Sequence, residues 1–292
     1  MLETRLLGRT GLTVTALGYG AMELRNPGAE VWAEEALNTV LDAGITFLDT
    51  SPDYGPSEEL IGRYLSHRRD EFVLATKCAC NTTGVGPGHI FTAEQFEKNL
   101  EESLRRLKTD HIDVWQIHCV TPPDLPGGAD DPAIRYMQKV KTEGYVGAIG
   151  ISFKNGKATD PAYPTEHQKA YAREMASWGV FDTLQLVYGA LMRVSEADVT
   201  AIDEAGLGVI ARGALQRYFP ESALIPDKAR LSELFEEGED VNAFLLRFAL
   251  TNPHIGSVIC GSGNPAHIRA NVRAAERGPL SAEVYAEACR RL

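Results

Sequence analysis

The chain is 292 residues long, 44% hydrophobic and 24% charged, an ordinary globular composition that excludes a disordered, collagenous or coiled-coil protein. Lys and Arg number 29 and Asp and Glu 40, for a net charge of −11; without long runs of one sign, this balance argues against a nucleic-acid polymer or an anionic membrane surface as partner. An odd cysteine count of 5 points to reduced thiols in the cytoplasm, no apolar run approaches the ~20 residues that span a bilayer, and the start from Met1 to Leu7 lacks a signal peptide's cationic region and long apolar core.

In chain order, Leu6 to Val14 reads as a hairpin turning at Arg9-Thr10-Gly11, placed to close a barrel floor. Eight short apolar runs follow, at 16–19, 45–48, 72–75, 112–117, 146–151, 183–187, 207–211 and 257–260. They are rich in β-branched residues and flanked by Gly or polar residues, as buried parallel strands are. Amphipathic stretches of helical length lie between them, at 31–43, 91–107, 133–142, 166–177, 197–204, 241–250 and 265–275, and 279–292 reads as an extra terminal helix. Thr92 and Gln95 have the spacing of a capping box at the start of the second of these helices.

Strand then helix, repeated eight times, is the order of an α/β protein of the (β/α)8 TIM-barrel class, which takes about 250 residues. No linker divides the chain, so one barrel domain is expected over 1–292, with the hairpin and the last helix as terminal additions. The rival is a doubly wound pair of domains, which would carry G-x-G-x-x-G between a strand and a helix. Gly18-Tyr19-Gly20 lacks the third glycine, and Gly84-Val85-Gly86-Pro87-Gly88 contains a proline, follows no strand directly and reads as a mobile loop.

Active sites of such barrels lie at the C-terminal ends of the strands. Those ends here carry Asp49, Thr76-Lys77, His118, Ser152, Tyr188, Arg212 and Gly261-Ser262-Gly263-Asn264, with Tyr54 five residues beyond Asp49. Singly, such an Asp is usually a turn residue, a Lys solvated and a His structural. Jointly, on three consecutive strand ends, Asp49, Tyr54, Lys77 and His118 have a chemical meaning. A free Tyr has a pKa near 10 and donates protons poorly at neutral pH. A Lys cation beside it favours the phenolate, a carboxylate keeps that Lys charged and oriented, and a neutral His can direct a carbonyl.

With these residues the sequence resembles the aldo-keto reductases over nearly the whole chain. Leu7-Gly8-Arg9-Thr10-Gly11 and Leu17-Gly18-Tyr19-Gly20 are similar to that family's opening. Phe47-Leu48-Asp49-Thr50-Ser51-Pro52-Asp53-Tyr54-Gly55, followed by Glu58-Glu59-Leu60-Ile61-Gly62, is similar to its Asp-Thr-(small)-x-x-Tyr-Gly signature. The resemblance implies Tyr54 as general acid/base, Lys77 as the group that lowers its pKa, Asp49 as support for Lys77 and His118 as the group that orients the carbonyl.

The resemblance also implies a nicotinamide dinucleotide: NADP(H), with NAD(H) as the alternative. Its binding set would be Gly20, Ala21 and Met22 after the first strand, Asp49, Ser152 and Gln185 at the carboxamide, and Arg212, Gly213, Ala214, Leu215 and Arg217 along the nicotinamide and pyrophosphate. Gly261, Ser262, Gly263, His267 and Asn271 would lie at the adenosine end, with Arg269 a further candidate for a 2′-phosphate. From the residues alone, a cross-strand hydrogen bond is the alternative reading of Ser152 and Gln185, and a plain helix cap that of Asn264-Pro265. Phe153 stands where the family often has Asn.

The expected partner is a small carbonyl or alcohol substrate, chosen by loops 22–30, 78–91, 119–133, 153–165 and 213–240. Lys154, Lys157 and Arg217 keep a sugar or phosphorylated carbonyl open. No metal is expected, because Cys78-Ala79-Cys80 has no second ligand pair at zinc-like spacing; Cys119 is placed to line the pocket. Two other classes stay open: an aldolase using Lys77 as a Schiff-base nucleophile, and a non-turnover nucleotide sensor similar to the reductase-like β subunits of potassium channels.

Overall fold

A computed structural model describes residues 1–153, 165–193, 195–215 and 224–292, with the backbone alone for 165–170. Arg217, Lys154 and Lys157 therefore lie outside the described residues or side chains. An antiparallel hairpin, β1 (Thr4–Leu6) and β2 (Thr13–Thr15), precedes eight parallel strands that close into a barrel. These are β3 (Leu17–Gly20), β4 (Phe47–Asp49), β5 (Val73–Cys78), β6 (Ile112–Val120), β7 (Val146–Phe153), β8 (Thr183–Val187), β9 (Gly208–Arg212) and β10 (Ser257–Cys260), neighbours in sequence order, with β10 pairing back to β3.

The connecting helices are α1 (Ala33–Asp42), α2 (Ser57–Leu65), α3 (Ala93–Leu107), α4 (Pro132–Thr142), α5 (Thr165–Ser177), α6 (Glu196–Glu204), the single turn α7 (Ile225–Lys228), α8 (Val241–Thr251) and α9 (Pro265–Glu276), and α10 (Ala282–Arg291) ends the chain. Sequence reading missed α2 and α7. The first turn of α2 runs straight on from the Tyr54-Gly55 motif, where its Leu60-Ile61-Leu65 stripe is short; α7 is too short for a period to show.

Strand alternation explains the interior. Side chains of one strand point alternately into the barrel and out toward the helices. Phe47, Ala75, Val114, Ala148, Ile210 and Ile259 form an inner plug with Leu7 and Val14 of the hairpin below it. Their alternates, such as Leu48, Leu74, Trp115, Ile149, Leu184 and Val209, pack in the layer against the helices. Moving two residues up from the plug along each strand reaches Asp49, Lys77, Gln116 and, two further on, His118; on the other wall it reaches Gly150 and Ser152, and Arg212. The apolar floor and the polar layer above it are thus one period-2 pattern read at successive heights.

The hairpin is held to the floor by backbone contacts. Arg9 N–H donates to Gly206 O at 2.8 Å, and a Cβ on Gly8, at φ +52°, would stand 2.1 Å from Gly208 N. The turn itself is a 3-10 turn over Gly8–Thr10 ended by Gly11 at φ 77°.

Leu7 is fully buried, whereas its neighbour Leu6 is 62% exposed. Leu7→Ala should therefore lower unfolding free energy by about 2–5 kcal/mol, and Leu6→Ala by no more than about 0.5 kcal/mol. Urea unfolding of the two variants checks this; equal effects would show that the hairpin does not plug the barrel.

Candidate active site

The polar layer centres on a buried ion pair. Lys77 Nζ, wholly shielded from solvent, donates to Asp49 Oδ1 at 2.6 Å and to the Thr50 carbonyl at 2.8 Å. The Tyr54 ring centroid is 5.1 Å from the same nitrogen. Burial opposes the ammonium, but the Asp49 carboxylate and the neighbouring Tyr54 and Asp53 outweigh it, so Lys77 is held charged, above its usual range. The other Asp49 oxygen, Oδ2, accepts from Gln185 Nε2 at 2.8 Å and Gln116 Nε2 at 3.1 Å.

Strand register puts these groups at one height. Lys77 is opposite Gln116, His118 opposite Ser152, and Ser152 opposite Gln185. Ser152 Oγ donates to Gln185 Oε1 at 2.8 Å, so the cross-strand bond considered from sequence is present, and it continues through Gln185 to Asp49. Gln116 was not among the expected residues. Its signal was available: a long polar side chain at an inward position of an apolar run, two residues before His118.

His118 closes the other side, its ring edge-on to Tyr54 with centroids 5.9 Å apart. Its Nδ1 faces Asp53 Oδ2 at 3.3 Å, Ser51 Oγ at 3.3 Å and Cys80 Sγ at 3.4 Å. Although burial opposes charge on both groups, their mutual contact lifts the His118 pKa and lowers that of Asp53. The β6 strand bulges between His118 and Val120, with Cys119 at φ 55°.

Beside the ion pair opens a cleft of about 330 Å³, lined by residues that include Gly20, Met22, Asp49, Tyr54, Arg212, Gly213, Ala214, Leu215 and Gly261. Half of the expected cofactor set therefore lines this one cleft, and Ser152, Gln185, Ser262, Gly263, His267 and Asn271 are not among its lining residues. Arg212 Nη2 donates to Phe153 O at 3.0 Å. Ala21 is buried behind this wall, where its carbonyl accepts from Ser57 Oγ at 3.1 Å.

At the top of β10, Tyr19 OH donates to Ser262 O at 3.0 Å. Asn264 caps α9 as its residue type predicts, accepting from Ala266 N–H at 2.9 Å. That helix start already spends its first donor on its own cap. Ser262 Oγ lies 3.4 Å from His267 Nδ1, leaving an exposed polar pair there. Arg269 instead reaches Thr39 on α1 at 3.4 Å, which turns it away from that pair. Asn271 is half-buried on the next turn of α9.

The structure also places four other features of the sequence. Tyr188, at the end of β8, faces the helix layer, stacked with Phe248 and hydrogen-bonded to Tyr285 at 3.1 Å. Cys78 points outward, its Sγ 3.5 Å from Gln116 O, so it does not pair with Cys80. The 84–88 segment closes around Asn81, whose Nδ2 donates to Val85 O and Pro87 O, both at 2.8 Å. Thr92 accepts from Gln95 N–H, but the Gln95 side chain binds Cys80 O at 2.8 Å instead of completing the capping box.

No described helix is long and apolar enough to cross a membrane. The Aldo/keto reductase family profile matches residues 16–289. The fold superposes on the holo form of an aldo-keto reductase from Bacillus halodurans with a TM-score of 0.82 and 26% identity, covering 100% of this chain and 96% of that one. L-galactose dehydrogenase of Arabidopsis thaliana is 29% identical over 94% of this chain and 88% of its own. The NADH-specific methylglyoxal reductase of Escherichia coli is 24% identical, covering 92% of each. With a closed eight-stranded parallel barrel and a family match over nearly its full length, the chain belongs to the aldo/keto reductase family of nicotinamide-dependent oxidoreductases.

Proposed function

We propose that this enzyme interconverts a small aldehyde or ketone, sugars included, and its alcohol, with NADP(H) as cofactor and Tyr54 as general acid/base. The observation that carries the reading is the solvent-free Lys77 ammonium held between Asp49 and the Tyr54 ring. When bound, NADP(H) supplies or accepts the hydride. The residues of the chain handle the proton and the geometry.

In the reductive direction Tyr54 gives its hydroxyl proton to the carbonyl oxygen. The Lys77 cation then stabilises the phenolate left behind, and does so strongly because no water screens it. Asp49 fixes Lys77 through Oδ1 and is itself fixed through Oδ2 by Gln116 and Gln185. His118 stands across from Tyr54, positioned to receive the same carbonyl oxygen. Gln185 and Ser152, polar groups of this buried network, would hold the carboxamide, and Arg212 would lie flat along the ring.

The glycine-lined wall of the cleft suits a dinucleotide backbone, since Gly20, Gly213 and Gly261 leave the strand ends free of side chains. The Ser262–His267 pair is the group that would meet a 2′-phosphate. A sugar substrate fits the polar inner wall and the galactose dehydrogenase relative; a short dicarbonyl fits the methylglyoxal reductase relative.

Tyr54→Phe should cut kcat/KM for carbonyl reduction by about 10²–10⁴-fold while NADPH still quenches protein fluorescence with wild-type affinity. Unimpaired turnover by a folded Tyr54→Phe protein would sink the proposal. The panel should contain aldoses, short aldehydes and dicarbonyls, each with NADPH and with NADH.

Lys77→Met strands a buried carboxylate, so it should cost about 3–5 kcal/mol of stability as well as activity. Adding Asp49→Leu should restore most of that stability and none of the turnover. Denaturant curves beside steady-state rates separate the two effects. For the cofactor, the ratio of kcat/KM with NADPH to that with NADH should exceed one in the wild type. It should fall by at least about tenfold in a Ser262→Ala/His267→Ala variant, the loss of about 1.4 kcal/mol of phosphate contacts. A wild-type ratio below one would assign NAD(H) instead.

A further inference from the structure

Asp53, Cys80, His89 and His118 bring one carboxylate oxygen, one sulfur and two imidazole nitrogens together, all within 4.8 Å of one another. They come from three different segments: the loop after β4, the turn after β5 and the end of β6. Of this set, the proposed carbonyl reduction uses only His118. Tyr54, Lys77 and Asp49 do the proton chemistry without Cys80 or His89.

Three of the separations are those of ligands around one ion. Zinc bonds measure about 2.0–2.2 Å to nitrogen or oxygen and about 2.3 Å to sulfur, so tetrahedral ligand atoms stand about 3.3–3.8 Å apart. Here Asp53 Oδ2 is 3.3 Å from His118 Nδ1 and 3.7 Å from His89 Nε2, and Cys80 Sγ is 3.4 Å from His118 Nδ1. The two imidazole rings meet edge to face with centroids 5.0 Å apart.

One of these atoms lacks a hydrogen bond. His89 Nε2 is shielded from solvent and unpartnered, and its 3.7 Å approach to Asp53 is too long to satisfy it. A cation at the centre of the four would. Three of the four ligands, Asp53, Cys80 and His89, are also held by their surroundings. Ser51 Oγ donates to the second Asp53 oxygen at 2.5 Å. The Cys80 carbonyl accepts from Gln95 at 2.8 Å and Asn99 at 3.0 Å. Cys80 and His89 face each other in a β-bridge, flanked by Asn81 N–H to Gly88 O and Ile90 N–H to Ala79 O. The His89 ring stacks on Phe91. Such outer supports are what metal ligands require.

We propose that Asp53, Cys80, His89 and His118 form a binding site for a divalent cation of the zinc class, which ties the 80–91 turn to the catalytic wall. One thiolate, two imidazoles and one carboxylate suit zinc or cobalt and disfavour magnesium or calcium. With four protein ligands the coordination sphere is closed, so the ion pins the loops and is not the Lewis acid of the reaction. The Cys80 proton leaves on binding.

The test uses the untagged, full-length protein, reduced and stripped with a chelator, titrated with Co²⁺ and then Zn²⁺. One equivalent of Co²⁺ should give the d–d bands of a tetrahedral ion and a thiolate-to-cobalt charge-transfer band, both erased by one equivalent of Zn²⁺. Cys80→Ser should remove the charge-transfer band, and His89→Ala should weaken binding by at least about 100-fold. Circular dichroism verifies that both variants fold. Absence of stoichiometric Co²⁺ and Zn²⁺ binding in the wild type overturns the site, as does an unchanged cobalt spectrum in Cys80→Ser. Neither readout involves carbonyl turnover, so the site stands or falls apart from the proposed reaction.

Discussion

The structure turns on a full positive charge kept where no water reaches it. An ammonium taken out of solvent costs several kcal/mol unless its hydrogen-bonding capacity is met. Lys77 meets it with the Asp49 carboxylate and the Thr50 carbonyl. Asp49 in turn needs its second oxygen satisfied, and two amides from β6 and β8 do so. The pair is therefore held by four strands of the barrel, and a closed parallel sheet is one of few frames that can aim side chains from that many strands at one point. The Leu7 and Phe47 layer beneath it has a matching role, since water entering from the floor would screen the charge.

Asp49 links the two halves of the proposed chemistry. Through Oδ1 it controls the cation beside Tyr54. Through Oδ2 it is bonded to Gln185 and, beyond it, Ser152, the two residues proposed to hold a nicotinamide carboxamide. Anything that tilts the carboxylate moves both, so proton donor and cofactor wall share one positional reference. This makes Gln116 a positioning residue: it touches neither expected ligand, yet it fixes the carboxylate that both depend on.

Much of this was legible in the sequence, for a physical reason. A barrel strand alternates inward and outward, so the pattern Phe47-Leu48-Asp49 or Ala75-Thr76-Lys77 already encodes floor, wall and site. Strand ends and the Asn264 cap depend on neighbours in the chain, and they appear where local rules put them. What stayed hidden depends on the third dimension. Tyr188 follows β8 directly and His118 lies near the end of β6, but the Tyr188 side chain falls on the opposite face and joins Phe248 and Tyr285. Gln95 has the spacing of a capping residue, and a backbone carbonyl from another loop outcompetes its own helix for the amide. Asp53, Cys80 and His89 share no local motif, because their spacing is set by a turn that folds back on Asn81.

His118 is the residue where the two sites meet, and its two nitrogens divide the work. Asp53, Ser51 and Cys80 all approach through Nδ1. An imidazole engaged at Nδ1 by a cation keeps its proton on Nε2, and the tautomer is then fixed by the ligand. A neutral ring with its remaining N–H toward the cleft can donate to a carbonyl oxygen but cannot compete with Tyr54 as the acid. The cluster thus bears on the proposed catalysis through His118, which a bound cation would hold as a fixed hydrogen-bond donor beside Tyr54.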